Sequence, residues 1–326
     1  MTQIESTWPG NVPSATSATA NRPKVLVLLA TYNGAHWIRS QIESILRQEE
    51  VDVAIVARDD RSSDSTSVEI CALATRDPRI VSSCATEPSG SAARNFFSLI
   101  RSESGKNFDF VAFADQDDVW NEDKLRRACC ALQGTAYSGY SSAVLAEWPN
   151  GKAIVLRQRD KQTVSDFLFE GAGQGCTFVI SRAFYERLRS FAIENSNLVD
   201  SVHYHDWAVY ALARSWGLRW KFDPIPTIHY RQHGGNDTGA RTDIKGITTR
   251  LRRIKNGWYK SQLRSIAAIC RAAAPSAPTI SSWQSMTTMP PGWRRRLCVI
   301  RFCIAGGRRR ILDNLILIVS ALAGWI

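Results

Sequence analysis

Residues 108–120, FDFVAFADQDDVW, decide the fold. From Phe108 to Ala114 the only polar side chain is Asp109. A short run this apolar, rich in aromatic and branched residues, reads as a strand buried on both faces, as the centre of a parallel sheet requires. It ends abruptly at Asp115-Gln116-Asp117-Asp118, four polar residues with no spacer between them and the strand.

Towards the N-terminus the same alternation recurs. Val25 to Ala30 is a second buried run, closed by Thr31-Tyr32-Asn33-Gly34, and Ile38, Ile42, Ile45 and Leu46 then fall on one face of a helix. Val51 to Ala57 is another strand, closed by Asp59-Asp60-Arg61-Ser62-Ser63-Asp64, whose Ser and Asp side chains suit the N-cap of the following helix. Ile80 to Cys84 reads as a short strand and Ala92 to Ile100 as a helix. Strand and helix in alternation predict an α/β sheet with helices on both faces. In open sheets of this kind ligands bind beyond the carboxyl ends of the strands. Three of the four strands end there in polar clusters.

Towards the C-terminus a helix is expected from Asn121 to about Leu132, with Glu122 and Asp123 in its first turn. Weak strands are expected at Ala143 to Ala146 and Ala153 to Leu156. Gly171-Ala172-Gly173-Gln174-Gly175 is a glycine-rich turn leading into a strand from Cys176 to Ser181. A helix from Tyr204 to Trp216 carries Asp206 near its start. Strands at Trp220 to Phe222 and Thr227 to Tyr230 lead into the loop Arg231-Gln232-His233-Gly234-Gly235-Asn236. Beyond Arg241 basic helices are broken by Pro275, Pro278, Pro290 and Pro291, and no internal repeat is detected.

The net charge of +11 is unevenly placed. Lys245 to Ile326 holds fifteen Lys or Arg against Asp313 alone, a net +14, which leaves −3 for the first 244 residues. A basic tail implies an anionic partner, a membrane surface or a nucleic acid. No RNP, zinc or helix-turn-helix pattern accompanies these charges, which argues against nucleic acid. Basic clusters interleaved with Leu, Ile and Trp suit helices lying in a membrane interface, and a helical extension packed on the body with a solvated basic face is the alternative. The eight cysteines show no CxxC pair and no zinc spacing, so free thiols in a reducing, cytoplasmic compartment are expected. Met1 to Arg22 has the Ser, Thr, Ala and Pro content of a disordered leader and lacks the form of a signal peptide. No stretch is long and apolar enough to span a bilayer.

At a strand end, Asp115 and Asp117 point the same way if extended geometry persists. Two such carboxylates can hold Mg²⁺ or Mn²⁺ together with phosphate oxygens and waters. The alternative is a solvated acidic turn that caps the next helix.

Taken together, VLVLLATYNG, QIESILRQ, DDRSSDST, GSAARNF, FADQDDVW…DKL, GCTFVISR, HDWAVYALA and HYRQHGGN span about residues 24 to 236 in order. This set resembles the family 2 glycosyltransferases, in particular their bacterial rhamnosyltransferase-like members. The resemblance implies a GT-A fold, a mixed sheet flanked by helices, here with a basic helical extension. It implies inverting transfer of a sugar from a nucleotide diphosphate donor (UDP- or dTDP-linked, dTDP-rhamnose among them) to a hydroxyl of a glycan or lipid-linked acceptor in cell-surface polysaccharide synthesis, with a divalent cation. The expected division is a leader at 1–22, a catalytic domain at 23–240 and a membrane-associating extension at 241–326, placing the protein in the cytoplasm on the inner face of the membrane.

Residue by residue, the resemblance assigns Thr31, Tyr32, Asn33, Asp59 and Asp60 to the nucleoside pocket, where turn formation and helix capping are the plainer roles for the two acids. Arg94 and Asn95 would contact the nucleotide or diphosphate, or be a surface Arg and a cap. Asp115 and Gln116 would bind the nucleotide-sugar, Asp115, Asp117 and His233 the metal, and Arg231 and His233 the diphosphate. Gly173, Gln174, Gly175 and Cys176 would form the acceptor-side turn, where missing side chains allow close approach. Asp206 would be the general base that takes the proton of the attacking hydroxyl, unless it only caps its helix. His205 is expected to be a structural neighbour, and His229 to pack within its strand. Arg58 and Arg61 stand where the family has small residues, and Ala208 replaces an aromatic.

Three rivals remain. A sugar-phosphate nucleotidyltransferase would want a phosphate loop with a basic residue where Thr31-Tyr32-Asn33-Gly34 stands. A dehydrogenase would want GxGxxG after the first strand. A non-catalytic sugar-nucleotide or lipid binder would have no use for Asp115, Asp117 and Asp206 together.

Overall fold

The computed structural model describes residues 22–234, 252 and 254–326. The expected leader up to residue 21, Gly235 and Asn236, and Arg250, Leu251 and Arg253 of the basic tail lie outside the described residues. Four parallel strands make the first half of the sheet: β1 (Lys24–Thr31), β2 (Asp52–Asp59), β3 (Ile80–Cys84) and β4 (Phe110–Ala114), in the order β3-β2-β1-β4. Leu28 is in register with Val56 on one side and Phe113 on the other. The sheet then turns mixed. β8 (Val179–Ser181) runs antiparallel to β4, followed by β6 (Tyr137–Glu147), β9 (Arg219–Arg231) and β5 (Val119–Trp120), while β7 (Ala153–Leu156) pairs with the far half of β6.

Side-chain alternation along β1 divides the core into two layers. Val25, Val27 and Leu29 face α1 (Ile38–Leu46), α2 (Thr66–Arg76) and α4 (Lys124–Leu132). Leu26, Leu28 and Ala30 face α3 (Ala92–Ser102), α5 (Arg182–Glu194) and α7 (His205–Ser215). A short helix, α6 (Ser196–Val199), links α5 to α7. Each fully buried aliphatic contributes about 1.5–3 kcal/mol of transfer free energy, so both faces of the sheet are stabilised by burial.

Several expectations are corrected. The strand expected at Ala143 to Ala146 is β6, eleven residues long. Its serines hid it: Ser142 meets Thr227 hydroxyl to hydroxyl at 2.6 Å, and Ser141 donates to the Ala172 carbonyl at 2.8 Å, so polar residues sit inside a buried strand with their bonds made. The two strands expected around Trp220 and Thr227 are one strand, β9, which passes through Pro224 and Pro226 because register shifts against β6 between Ser142 and Leu145 absorb the missing N–H groups. The strand expected from Cys176 begins at Val179, after a 3₁₀ turn over Gly175–Thr177. The helix expected from Asn121 begins at Lys124: residues 121–124 make a turn closed by Lys124 N donating to the Asn121 carbonyl at 3.1 Å, and the Asn121 side chain donates to the Pro226 carbonyl.

The C-terminal helices are α8 (Trp258–Ala273), α9 (Pro278–Thr288), α10 (Trp293–Gly306) and α11 (Ile311–Leu322). They join the α3/α5/α7 core layer: Ile266, Trp283, Val299 and Leu317 are buried in it. Tyr259 stacks on Trp207 and donates to the Phe169 carbonyl at 2.7 Å. Behind α10, Arg309 is buried and binds Asp166, itself fully buried and also held by Arg214 and Tyr210.

Candidate active site

At the end of β1 the chain is held open by side chains from elsewhere. Asn33 takes φ of 49°, and its side-chain carbonyl accepts from Ser63 N at 2.8 Å. Gln116 pairs with both backbone groups of Tyr32, accepting from its N–H and donating to its carbonyl, each at 2.8 Å. Gly34 is required by this contact: a Cβ there would lie 2.2 Å from Gln116 Oε1. The Tyr32 ring is left exposed.

The acids at the end of β2 are buried and bonded within the protein. Asp59 accepts from Thr31 Oγ1 at 3.0 Å, Ser62 N at 2.8 Å and Ser62 Oγ at 2.6 Å. Asp60 accepts from Ser89 N at 2.8 Å, Ser89 Oγ at 2.7 Å and Arg58 at 3.3 Å. Arg58 also donates to Asn95 Oδ1 at 2.6 Å, and Asn95 Nδ2 donates to the carbonyls of Thr31 and Arg58, so Asn95 ties β1 to β2. The cap of α3 is Ser91, which accepts from Arg94 N. Arg94 Nε donates to the Asp200 carbonyl at 2.9 Å. Arg58, Ser89, Arg94, Arg101 and Asp200 line an open cleft of about 530 Å³ beside these groups. The Ser and Asp residues expected to cap α2 act differently. Ser65 occupies the cap without a side-chain bond, and Asp64 accepts from Thr66 N at 3.0 Å.

The extended geometry that would align Asp115 with Asp117 does not persist, because residues 115–118 form a turn. Asp115 gathers instead with Asp118 and Cys176, their ligand atoms all within 4.8 Å of one another. Asp117 pairs with His233 Nε2 at 2.8 Å, and the His233 ring stacks on Trp37 at 4.1 Å. Arg231 braces the turn from behind, donating to the carbonyls of Asp117 at 2.8 Å and Asp118 at 3.1 Å and to Ser40 Oγ at 2.7 Å. His229 pairs with Glu147 on the adjacent strand.

Asp118 is fully buried, and neither oxygen has a regular hydrogen-bond partner; the Cys176 thiol is the one weak donor beside it. Burial, then the neighbouring Asp117 and Asp115 carboxylates, push its pKa well above the ordinary value. Burial likewise holds the Cys176 thiol protonated. Close by, the fully buried Lys124 has no hydrogen-bond partner, lies 3.6 Å over the Trp120 ring, and is drawn by burial down to about 7.

The glycine-rich turn connects this cluster to Asp206. A Cβ on Gly175 would lie 2.5 Å from His205 Nε2 and 3.2 Å from Asp206 Cβ, so only glycine lets the turn pass. The next residue, Cys176, is the one in the acidic cluster. Gly173 takes φ of 108° against Gln158, and the Oε1 of Gln174 is buried without a partner. Tyr204, not Asp206, occupies the cap of α7, and Asp206 Oδ1 accepts from Trp207 N at 2.6 Å in the first turn. His205 stacks on Phe96 at 3.9 Å, and burial keeps its imidazole neutral, with pKa drawn down to about 3.

The structure thus groups Thr31, Tyr32, Asn33, Asp59, Asp60, Asn95 and Gln116 together, Asp115, Asp117, Asp118, Cys176, Arg231 and His233 around the acidic turn, and Gly175 beside Asp206. Sequence reasoning did not single out Ser62, Ser89, Trp37 or Lys124. The signal for Lys124 was available: it opens the helix directly after the Asn121-Glu122-Asp123 step and shares a face with Leu125 and Ala128.

A parallel sheet turning antiparallel, with a polar loop, an acidic turn and a separate carboxylate near its carboxyl edge, is the architecture the resemblance implies. The family model for glycosyl transferase family 2 matches residues 26–189, and the chain belongs to that family. It is 37% identical over 241 residues to the dTDP-rhamnosyl transferase RfbG of Shigella flexneri, covering 73% of this chain and 83% of that one. It is 34% identical over 159 residues to the Escherichia coli UDP-Glc:alpha-D-GlcNAc-diphosphoundecaprenol beta-1,3-glucosyltransferase WfgD, covering 48% and 59%. The fold is shared with S. aureus TarS 1-349 in complex with UDP-GlcNAc, at TM-score 0.51 and 13% identity over 87% of this chain and 81% of that one. It is also shared with the Pyrobaculum calidifontis mannosyltransferase PcManGT in complex with GDP-Man and Mn²⁺, at TM-score 0.50 and 17% identity over 93% and 87%. The architecture is GT-A, as the resemblance implied, and the protein is a glycosyltransferase.

Proposed function

We propose that this glycosyltransferase moves a sugar, with inversion, from a nucleotide diphosphate donor to a hydroxyl of a glycan or lipid-linked acceptor at the cytoplasmic face of the membrane. Similarity to RfbG supports a dTDP-sugar, with dTDP-rhamnose the first donor to test. The observation that carries the reading is the Gly175-Cys176 step, which abuts Asp206 on one residue and the acidic cluster on the next. Leaving group and base are thereby served from opposite ends of one turn.

The donor set fits a hard divalent cation. Asp118 presents two buried carboxylate oxygens without regular partners beside Asp115, an arrangement that is costly unless a positive charge joins it. Asp115 and Asp118 would hold Mg²⁺ or Mn²⁺, with the bonded Asp117–His233 pair beside them, and the neutral Cys176 thiol would not. Such an ion supplies charge neutralisation at a departing diphosphate. On the donor side Tyr32 offers its exposed ring to the nucleoside, Asp60 and Arg94 face it, and Thr31, Asn33, Asp59, Asn95 and Gln116 keep the loop in shape. Arg231 holds the acidic turn against the diphosphate. Gly173 and Gln174 shape the acceptor side, and Asp206 takes the proton from the attacking hydroxyl. Residues 23–240 would form the catalytic unit and 241–326 its membrane-facing extension.

The test is a panel of UDP-, dTDP- and GDP-sugars with a membrane-extract acceptor, with and without Mn²⁺, following diphosphate release. Asp206→Asn should lower kcat by about 10²–10⁴-fold with the donor KM kept. Normal transfer by Asp206→Asn would remove Asp206 as the base, and no metal-dependent release with any donor would overturn the reading.

A further inference from the structure

Two helices at the C-terminus bury one face and leave the other apolar in solvent. On α11, Leu317, Ser320 and Ala321 pack inward, whereas Ile311, Leu312, Leu315, Val319 and Leu322 are exposed, Leu312 at 75%. At 100° per residue the two sets lie on opposite sides of the helix, so the outward face of α11 is apolar, while its polar residues Asp313, Asn314 and Ser320 fall on the inward half. On α10, Trp293, Leu297 and Ile304 are exposed at spacings of four and seven, one narrow stripe. Arg294 and Arg301 fall on one flank of that stripe and Arg296 on the other, all exposed. Of the fourteen large hydrophobic residues exposed among the described residues, eight lie between 293 and 322, and the other six are scattered.

We propose that α10 and α11 form a docking surface for an anionic lipid bilayer, lying in its interface. Three arguments favour this occupant. Residues 293–310 hold seven arginines and no acid, and the exposed Arg294, Arg296 and Arg301 flank the stripe at the level where lipid phosphates would lie. A twelve-residue helix is about 18 Å long against a hydrocarbon core of about 30 Å, so α11 lies in the interface and does not cross it. No described helix is long and apolar enough to span a membrane.

The surface is also fixed to the acceptor side of the site. Arg309, between the two helices, donates to the Gly171 carbonyl at 2.6 Å and to Asp166 at 2.8 Å, and Gly171 packs against the Trp207 backbone. A bilayer held by α10 and α11 therefore has a set orientation to the turn before Gly175 and to Asp206. This last link rests on the function proposed above; the docking surface itself does not.

The experiment is flotation of the full chain with phosphatidylcholine vesicles and with vesicles that also contain phosphatidylglycerol. The wild type should float with the anionic vesicles, more weakly as salt rises. The triple variant Leu312→Gln, Leu315→Gln, Val319→Gln, all at exposed positions, should lose about tenfold or more in partitioning. The pair Trp293→Ser, Leu297→Ser should weaken it independently. Both should keep wild-type turnover on a soluble acceptor, which separates failure of docking from failure of the proposed chemistry. Wild-type flotation that neither variant weakens, or no flotation at all, would overturn the proposal. So would a concentration-dependent dimer that the triple variant dissolves, since the face would then belong to a second copy.

Discussion

His205 is buried against Phe96 with Nε2 unpartnered, and its neighbour Asp206 is the proposed base. Its folded pKa of about 3 lies below the unfolded value of 6.5, so between the two the unfolded chain binds the extra proton. Stability from keeping this ring neutral is full above about 6.5 and is lost as pH falls towards 3. His205→Phe retains the stack and removes the titration. Denaturant melts between pH about 4 and 6 should show the slope of stability against pH reduced by about 1.4 kcal/mol per pH unit; an unchanged slope would mean that His205 is not held neutral. At this scale much of the candidate site was legible, because Thr31, Asp59, Asp115 and Asp206 sit at strand or helix ends marked by abrupt polarity changes. What was not legible is which of the adjacent acids the turn buries. Asp118 and Lys124 are fully enclosed, and that depends on Trp120 and Cys176 arriving from different elements.

At the scale of elements, the buried Arg309–Asp166 pair fastens α10 and α11 to the body. Asp166 also binds Arg214 at 2.7 Å and Tyr210 at 2.7 Å, so its charge remains partly met if Arg309 is removed. The Glu170 carboxylate, which accepts from Arg309 N, would lose the guanidinium beside it. Removing one partner of a buried pair costs about 3–5 kcal/mol, so Arg309→Ala should lower stability in guanidinium melts by that order. A loss below about 1 kcal/mol would show that the helices are held by apolar packing alone. The parallel strands were legible because both their faces are buried and their composition shows it. β6 and β9 were not, since serines and prolines inside them break the apolar signal while side-chain bonds and register shifts make up for it. α5 was missed although its markers are present: Ser181 caps it, and Phe184, Leu188, Phe191 and Ala192 repeat at helical spacing.

In the whole molecule one core layer runs from β1 and β4 through α3 and α7 into α8–α11. Circular dichroism and tryptophan fluorescence should therefore report coincident unfolding transitions. Two separated transitions would show that the C-terminal helices fold as an independent unit. The chain order of the site has a further consequence for synthesis on the ribosome. Among the described residues β5, which follows the acidic turn, finds its partner only in β9, and His233 reaches Asp117 only when β9 is complete. A nascent chain that has passed Asp206 but not Arg231 has its proposed base but no brace on its acidic turn. Chains ending early would fold some of the parallel strands without forming a centre able to consume nucleotide-sugar.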